Sequence, residues 1–128
     1  MSVDLKMLVW SAVLTFVVTL PYVLGLTMKL GLPAMAGNRE NFPAVEGWIG
    51  RSMRLHRNMI EAMILFTALV VVAHLAGKAN ATTALGATIF FWARVVHAVV
   101  YIAGIPWLRT GVWAVSVVGM LMILSQLL

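Results

Sequence analysis

The sequence predicts an all-α integral membrane protein, a bundle of four transmembrane helices. Three observations predict it. Of its 128 residues, 62% are hydrophobic and only 10% charged, whereas soluble domains are about half apolar and about a quarter charged. The mean hydropathy is +1.00. Four apolar runs, each long enough for the roughly 20 residues a spanning helix requires, nearly exhaust the chain. A single four-helix unit over residues 1–128 is therefore expected, with no room for a separate soluble domain.

The first run, at about 5–30, follows Lys6, as a signal peptide would. It exceeds the ~7–15 apolar residues of such a peptide and lacks a clean small-x-small cleavage site, so it is expected to remain as a helix. Pro21 lies inside it and predicts a kink, which a membrane helix tolerates. Residues 29–50 hold Lys29, Gly31, Pro33, Gly37, Arg39, Glu40 and Pro43 and read as one long polar loop, with Asn41-Phe42-Pro43 marking the approach to the next helix. The second helix, about 45–76, has a charged first half and a purely apolar second half, and ends at Gly77-Lys78-Ala79-Asn80. The third, about 82–103, carries Arg94 and His97 well inside and is broken by Gly104-Ile105-Pro106. The fourth, about 108–127, has no charge after Arg109. Basic residues gather in the first and third loops, with only Lys78 in the second, so both termini are expected outside and the first and third loops in the cytoplasm.

The charges inside the helices carry the functional information. On the second helix Arg51, Arg54, Arg57, Asn58 and Glu61 follow steps of three and four and share one broad face, while His56 points elsewhere. On the third, Arg94, His97 and Tyr101 stand at i, i+3 and i+7. A charged side chain at the centre of a bilayer costs ~2.5–3.5 kcal/mol on insertion scales, so such residues must be paired, line a wet cavity or sit near the interface. Arg51 and Arg109 can be interfacial anchors, and Lys29 and Arg39 topology or headgroup residues. Glu61 and Arg94 lie furthest from the loops, where a buried ion pair is expected. The tryptophans read as interface or packing residues. The excess of arginine over glutamate calls for an anionic ligand bearing carboxylates, which arginine grips in a bidentate way. Asn58 adds an amide, and Glu61 an acceptor for an ammonium group. Tyr101 and Thr110 supply hydroxyls, and Arg109 a cation that lowers the pKa of an incoming thiol.

The chain has no cysteine, so any thiol must arrive with a substrate. Neither a metal site nor a nucleic-acid partner is expected. The net charge of +5 forms no exposed basic stripe interleaved with aromatics, and membrane topology and anion binding explain it better.

The run Arg51-Ser-Met-Arg54-Leu-His56-Arg57-Asn58-Met-Ile-Glu61 resembles the second-helix signature of the MAPEG family, the membrane-associated proteins of eicosanoid and glutathione metabolism. Ala93-Arg94-Val-Val-His97-Ala-Val-Val-Tyr101 resembles its third-helix segment, and Gly104-Ile105-Pro106-Trp107-Leu108-Arg109-Thr110 the segment leading into the fourth. The resemblance implies a homotrimer, with glutathione as cosubstrate between subunits near the cytosolic side and lipophilic electrophiles or peroxides arriving from the bilayer. It implies that Arg51, Arg54, Arg57, Asn58, Glu61, Arg94 and His97 hold glutathione, with Arg94 supporting Glu61. It also implies that Arg109, Tyr101 and Thr110 serve the chemistry, Thr110 standing where some members have serine. Lys29 is the nearest counterpart of an arginine that some members carry at the end of the first helix.

Two other classes stand against this expectation of a glutathione transferase-like or peroxidase-like enzyme. A small four-helix transporter would use a membrane-embedded carboxylate in its first helix, and the first helix here has no acidic residue after Asp4. A non-catalytic lipid-binding protein would use its arginines interchangeably and have little need of Asn58.

Overall fold

The computed structural model describes residues 1–37 and 45–128. Five helices follow one another: α1 (Val3–Leu30), α2 (Leu32–Ala36), α3 (Gly47–Leu75), α4 (Ala81–Ala103) and α5 (Pro106–Leu127). Four of them are long and apolar enough to cross a membrane. At ~1.5 Å per residue, the 29 residues of α3 span about 43 Å, close to the ~40–45 Å of a bilayer with its headgroups. The side chains agree: Phe16, Ile64 and Val99 are each about two-thirds exposed, at 67%, 67% and 68%. Water would not tolerate such an outer face, and lipid requires it. The protein is an integral, multi-pass membrane protein with an all-helical transmembrane bundle.

Part of the expected polar loop is helical. Pro33, in the first turn of α2, has the backbone angle a helix start needs, and Gly31 at φ +87° separates α1 from α2. Arg39, Glu40 and the Asn41-Phe42-Pro43 approach lie outside the described residues. The fourth spanning helix starts at Pro106, two residues before its expected start, because proline suits the first helical turn, where its missing N–H costs nothing. α1 continues through Pro21 as one element.

The helices alternate in direction, and a polar clasp closes the end holding both termini. The Asn80 side chain accepts from the Thr83 amide, and the Thr83 hydroxyl faces the Asn80 backbone N–H, forming a capping box at the start of α4. The Thr83 hydroxyl also lies 2.8 Å from the carboxylate of Asp4 on α1, which is buried. Asn80 donates to Gln126 of α5 at 2.8 Å, and the Lys78 ammonium lies 3.5 Å from the Leu127 carbonyl. In the core, Phe66 of α3 and Phe90 of α4 stack at 3.9 Å between ring centroids, surrounded by Leu55, Met59, Val70 and Ile123.

α4 and α5 form the tightest pair. A Cβ placed on Gly86 would fall 2.6 Å from the Gly119 carbonyl oxygen, and one on Gly119 2.6 Å from that of Gly86. Small residues that bring two backbones together are the means by which helices associate in lipid, where no hydrophobic force separates helix from solvent. This close contact fixes α5, and therefore Arg109, against the helix that carries Arg94, His97 and Tyr101.

Candidate functional site

The site lies at the end of the bundle opposite the clasp, where α3 enters, α4 ends and α5 begins. Along α4, Tyr101, His97 and Arg94 lie two, six and nine residues from Ala103, or about 3, 9 and 14 Å below that end. The polar wall therefore descends from the membrane surface toward mid-bilayer. Its two deepest members are almost fully enclosed, Arg94 and His97 each being 1% exposed.

Arg94 does not form the expected ion pair with Glu61. Its Nη1 donates to the Asn58 Oδ1 of α3 at 2.5 Å, and its guanidinium lies 5.5 Å from the centroid of the Phe90 ring. Glu61 lies one turn beyond Asn58 on the exposed side of α3 and is left to face a cavity. The reason is positional: at 3.6 residues per turn Asn58 and Glu61 differ by about 60° in azimuth, and Asn58 is the one turned toward α4. Among the described residues four buried side-chain polar atoms have no partner, Ser11 Oγ, Ser52 Oγ, Arg94 Nε and His97 Nδ1, and the last two stand on this wall. Buried polar groups are paired in more than nine cases in ten, so two orphans on one helix face ask for something that arrives from outside the chain.

Two adjoining cavities meet these groups. The outer one, about 230 Å³, is lined by Asn58, His97, Tyr101, Arg109, Thr110 and Trp113. Within it the Arg109 guanidinium stacks over the Tyr101 ring at 4.8 Å, and His97 meets that ring edge-on at 5.4 Å. The deeper one, about 300 Å³, is bounded by Asn58, Glu61 and Arg94 on its polar side and by Leu65, Trp113 and Val117 on its apolar side. Asn58 and Trp113 belong to both. Ligand pockets usually measure ~300–1,000 Å³, a range that the joined pair enters and the outer cavity alone does not.

The expected arginine stripe is divided. Arg51 lines neither cavity; its Nε donates to the Ile102 carbonyl at the end of α4 at 2.9 Å. Arg54 is exposed, its guanidinium folded back near Gly50. Arg57 is exposed and lines a separate cleft of about 420 Å³ between α1 and α3, together with Tyr22, His56 and, again, Glu61. In that cleft His56 is tied to the Thr19 hydroxyl at 3.0 Å and lies 5.1 Å from the Tyr22 ring. Asn58, Arg94, His97, Tyr101, Arg109 and Thr110 are thus gathered at the two cavities, Glu61 stands at the exposed edge of the deeper one, and Arg54 and Arg57 lie outside both. The Thr110 hydroxyl donates to the Pro106 carbonyl at 3.2 Å, so its hydrogen is engaged and its oxygen remains an acceptor.

Trp113 joins the two cavities but reads in sequence as a packing aromatic. Its signal was its place one turn after Arg109, which puts both on the same face of α5. Among the described residues, no three His, Cys, Asp or Glu side chains come together as a metal site would need.

The model of the MAPEG family matches residues 7–128, nearly the whole chain. No curated protein and no solved structure matches it. The family match covers all four spanning helices and every residue of the two cavities, and the chain belongs to the MAPEG family.

Proposed function

We propose that the protein is a membrane-bound glutathione-dependent transferase, or a peroxidase, acting on lipophilic electrophiles. The observation that carries this reading is the pair of buried, unpartnered donors and acceptors, Arg94 Nε and His97 Nδ1, on a wall that ends at Arg109 and Tyr101. A tripeptide thiol has the complementary groups: two carboxylates for guanidinium partners, one ammonium for Glu61, and amides for Asn58 and His97. Arg109 is the chemical centre of the scheme. A cation beside the bound thiol favours the thiolate over the thiol, and the thiolate is the nucleophile. Its sulfur attacks the electrophilic carbon, a C–S bond forms, and the leaving group departs with the bonding pair as an anion. In the peroxidase variant the sulfur attacks the distal peroxide oxygen, the O–O bond breaks and the alkoxide leaves to be protonated to the alcohol, and a second glutathione thiol attacks the resulting sulfenic acid, forming the disulfide and releasing water.

The apolar wall of the deeper cavity, with Leu65, Trp113 and Val117, supports a substrate that enters from the bilayer. Arg54, Arg57 and Glu61, all exposed, support a homotrimer in which a neighbouring subunit completes the glutathione site. The basic residues of the first and third loops support a site that opens toward the cytoplasm.

The direct test is a glutathione titration that reads thiolate absorbance, repeated with Arg109→Ala. Thiolate formation in the wild type, its loss in the variant and turnover of an activated aryl chloride are the expected results. Absence of both thiolate and turnover in the wild type would refute the catalytic reading.

A further inference from the structure

We propose that Arg51 is a positioning residue that fastens the end of α4 to α3 and thereby sets the spacing between Tyr101 and Arg109. This rests on the function proposed above for its catalytic consequence, but not for its structural part.

The last carbonyls of a helix have no partner within that helix. At the end of α4 most of this need is met locally. Gly104 adopts the left-handed conformation at φ +82°, its amide donates to the Tyr101 and Val100 carbonyls at 3.1 and 3.0 Å, and the Ile105 amide donates to Val100 at 3.3 Å. This is the Schellman arrangement, and it leaves the Ile102 carbonyl unserved. Arg51 reaches across from α3 to fill that gap, its Nε 2.9 Å from the Ile102 oxygen. Its positive charge also stands at the negative end of the α4 dipole.

The contact is close enough to constrain its neighbours. A Cβ on Gly104 would lie 3.3 Å from Arg51 Nε and 3.4 Å from Cζ, so the guanidinium lies across the glycine. Glycine is thus required twice, for its backbone angle and for this approach. Only Gly104 and Ile105 separate α4 from α5, and the Arg109 amide already bonds to the Ile105 carbonyl at 3.0 Å. A shift of this two-residue link therefore changes the distance between the Tyr101 ring and the Arg109 guanidinium, now 4.8 Å. α3 grips α4 at two levels two turns apart, through Arg51 at Ile102 and through Asn58 at Arg94. Arg51 lines neither of the two cavities that hold Asn58, His97 and Arg109.

The test compares Arg51→Met, which removes the donor, with Arg51→Lys, which keeps a donor and a charge. In the ligand-free protein in nanodiscs, hydrogen exchange at the Gly104, Ile105 and Arg109 amides is expected to rise about tenfold in R51M and to stay within about threefold of wild type in R51K. With glutathione present, kcat and thiolate absorbance are expected to fall about tenfold in R51M while KM for glutathione stays within twofold, and R51K restores most of kcat. If R51M does not fold, Arg51→Ala takes its place, with Lys near wild type and Ala fast as the expected pattern. Unchanged exchange in R51M, or in R51A where that replaces it, would make Arg51 a mere interfacial anchor and overturn the proposal. A tenfold rise in KM with kcat unchanged would make it a ligand contact and do the same. A wild type without glutathione turnover would refute the proposed function, while the exchange pattern would still decide the fastening role.

Discussion

Replacing Asn58 by leucine should destabilise the protein by about 2 kcal/mol, and replacing Arg94 by methionine at the same time should recover most of that loss. Arg94 is 1% exposed and makes one side-chain hydrogen bond, from Nη1 to Asn58 at 2.5 Å, with Phe90 as its other favourable contact. A hydrogen bond to a charged group contributes roughly 1.5–3 kcal/mol, and losing it also leaves a buried charge bare. In membranes such losses are smaller, averaging about 0.6 and reaching about 1.7 kcal/mol, because the unfolded helices find other partners in the bilayer. Arg94 belongs at the upper end, since among the described residues its Nε has no partner and no carboxylate forms an ion pair with it. Leucine is larger than asparagine, so no cavity forms, and the open space beside position 58 can take the extra volume. Removing both partners of a buried pair is often close to neutral, so N58L/R94M is expected within about 1 kcal/mol of wild type. Equilibrium unfolding in mixed micelles, analysed as a double-mutant cycle, measures this. Simple additivity of the two substitutions would show that Asn58 and Arg94 are not coupled, and the account of the buried wall would fail with it.

Four further outcomes follow from the structure. Gly119→Ala should cost about 1–3 kcal/mol in the same assay, because its methyl would meet the Gly86 oxygen at 2.6 Å and the Phe90 nitrogen at 2.9 Å, both rigid backbone atoms. Gly111→Ala on the same helix meets nothing within 4 Å and should be neutral or stabilising by up to about 1 kcal/mol, through helix propensity. Thr83→Val should cost about 1–2 kcal/mol, since it removes both the bond to Asp4 and one half of the capping box, and exchange at the first amides of α4 should accelerate. Thr110→Ala should leave thiolate formation within about twofold, because the Thr110 hydrogen already serves Pro106, whereas Arg109→Ala abolishes it.

The bundle was legible because hydropathy is a property of a whole run of residues. α1, α3, α4 and α5 each carry an apolar stretch that no neighbouring residue can reverse, and glycine and proline mark most of their ends. The short α2 escaped, since Pro33 and the glycines around it read equally well as a turn. The site was half legible for a geometric reason. Periodicity states which side chains share a face of α3, but the set from Arg51 to Arg57 spreads over about 120° of azimuth. An arc that wide borders two different neighbours. Arg51 and Asn58, at one edge, meet α4, and Arg57, at the other, looks into the cleft beside α1. Which neighbour stands where is settled by long-range packing such as the Gly86–Gly119 contact, and a single helix carries no record of it.

Depth explains the division better than charge does. The chain places its arginines at graded distances from the membrane surface, and their partners change accordingly. Arg51, level with the end of α4, takes a backbone carbonyl that a helix end leaves free. Arg109, at the start of α5, is half-buried and rests on an aromatic face, which holds its orientation without neutralising it. Arg94, about 14 Å down, is enclosed and takes an amide. Only the last of these arrangements is difficult to explain by stability alone. A carboxylate at position 58 would neutralise Arg94 and leave a quieter core, whereas asparagine orients the guanidinium and preserves its charge. A helix bundle that needed only to stand in lipid would have no use for an unneutralised cation at that depth. One that draws an anionic thiol below the membrane surface, as the proposed function requires, would.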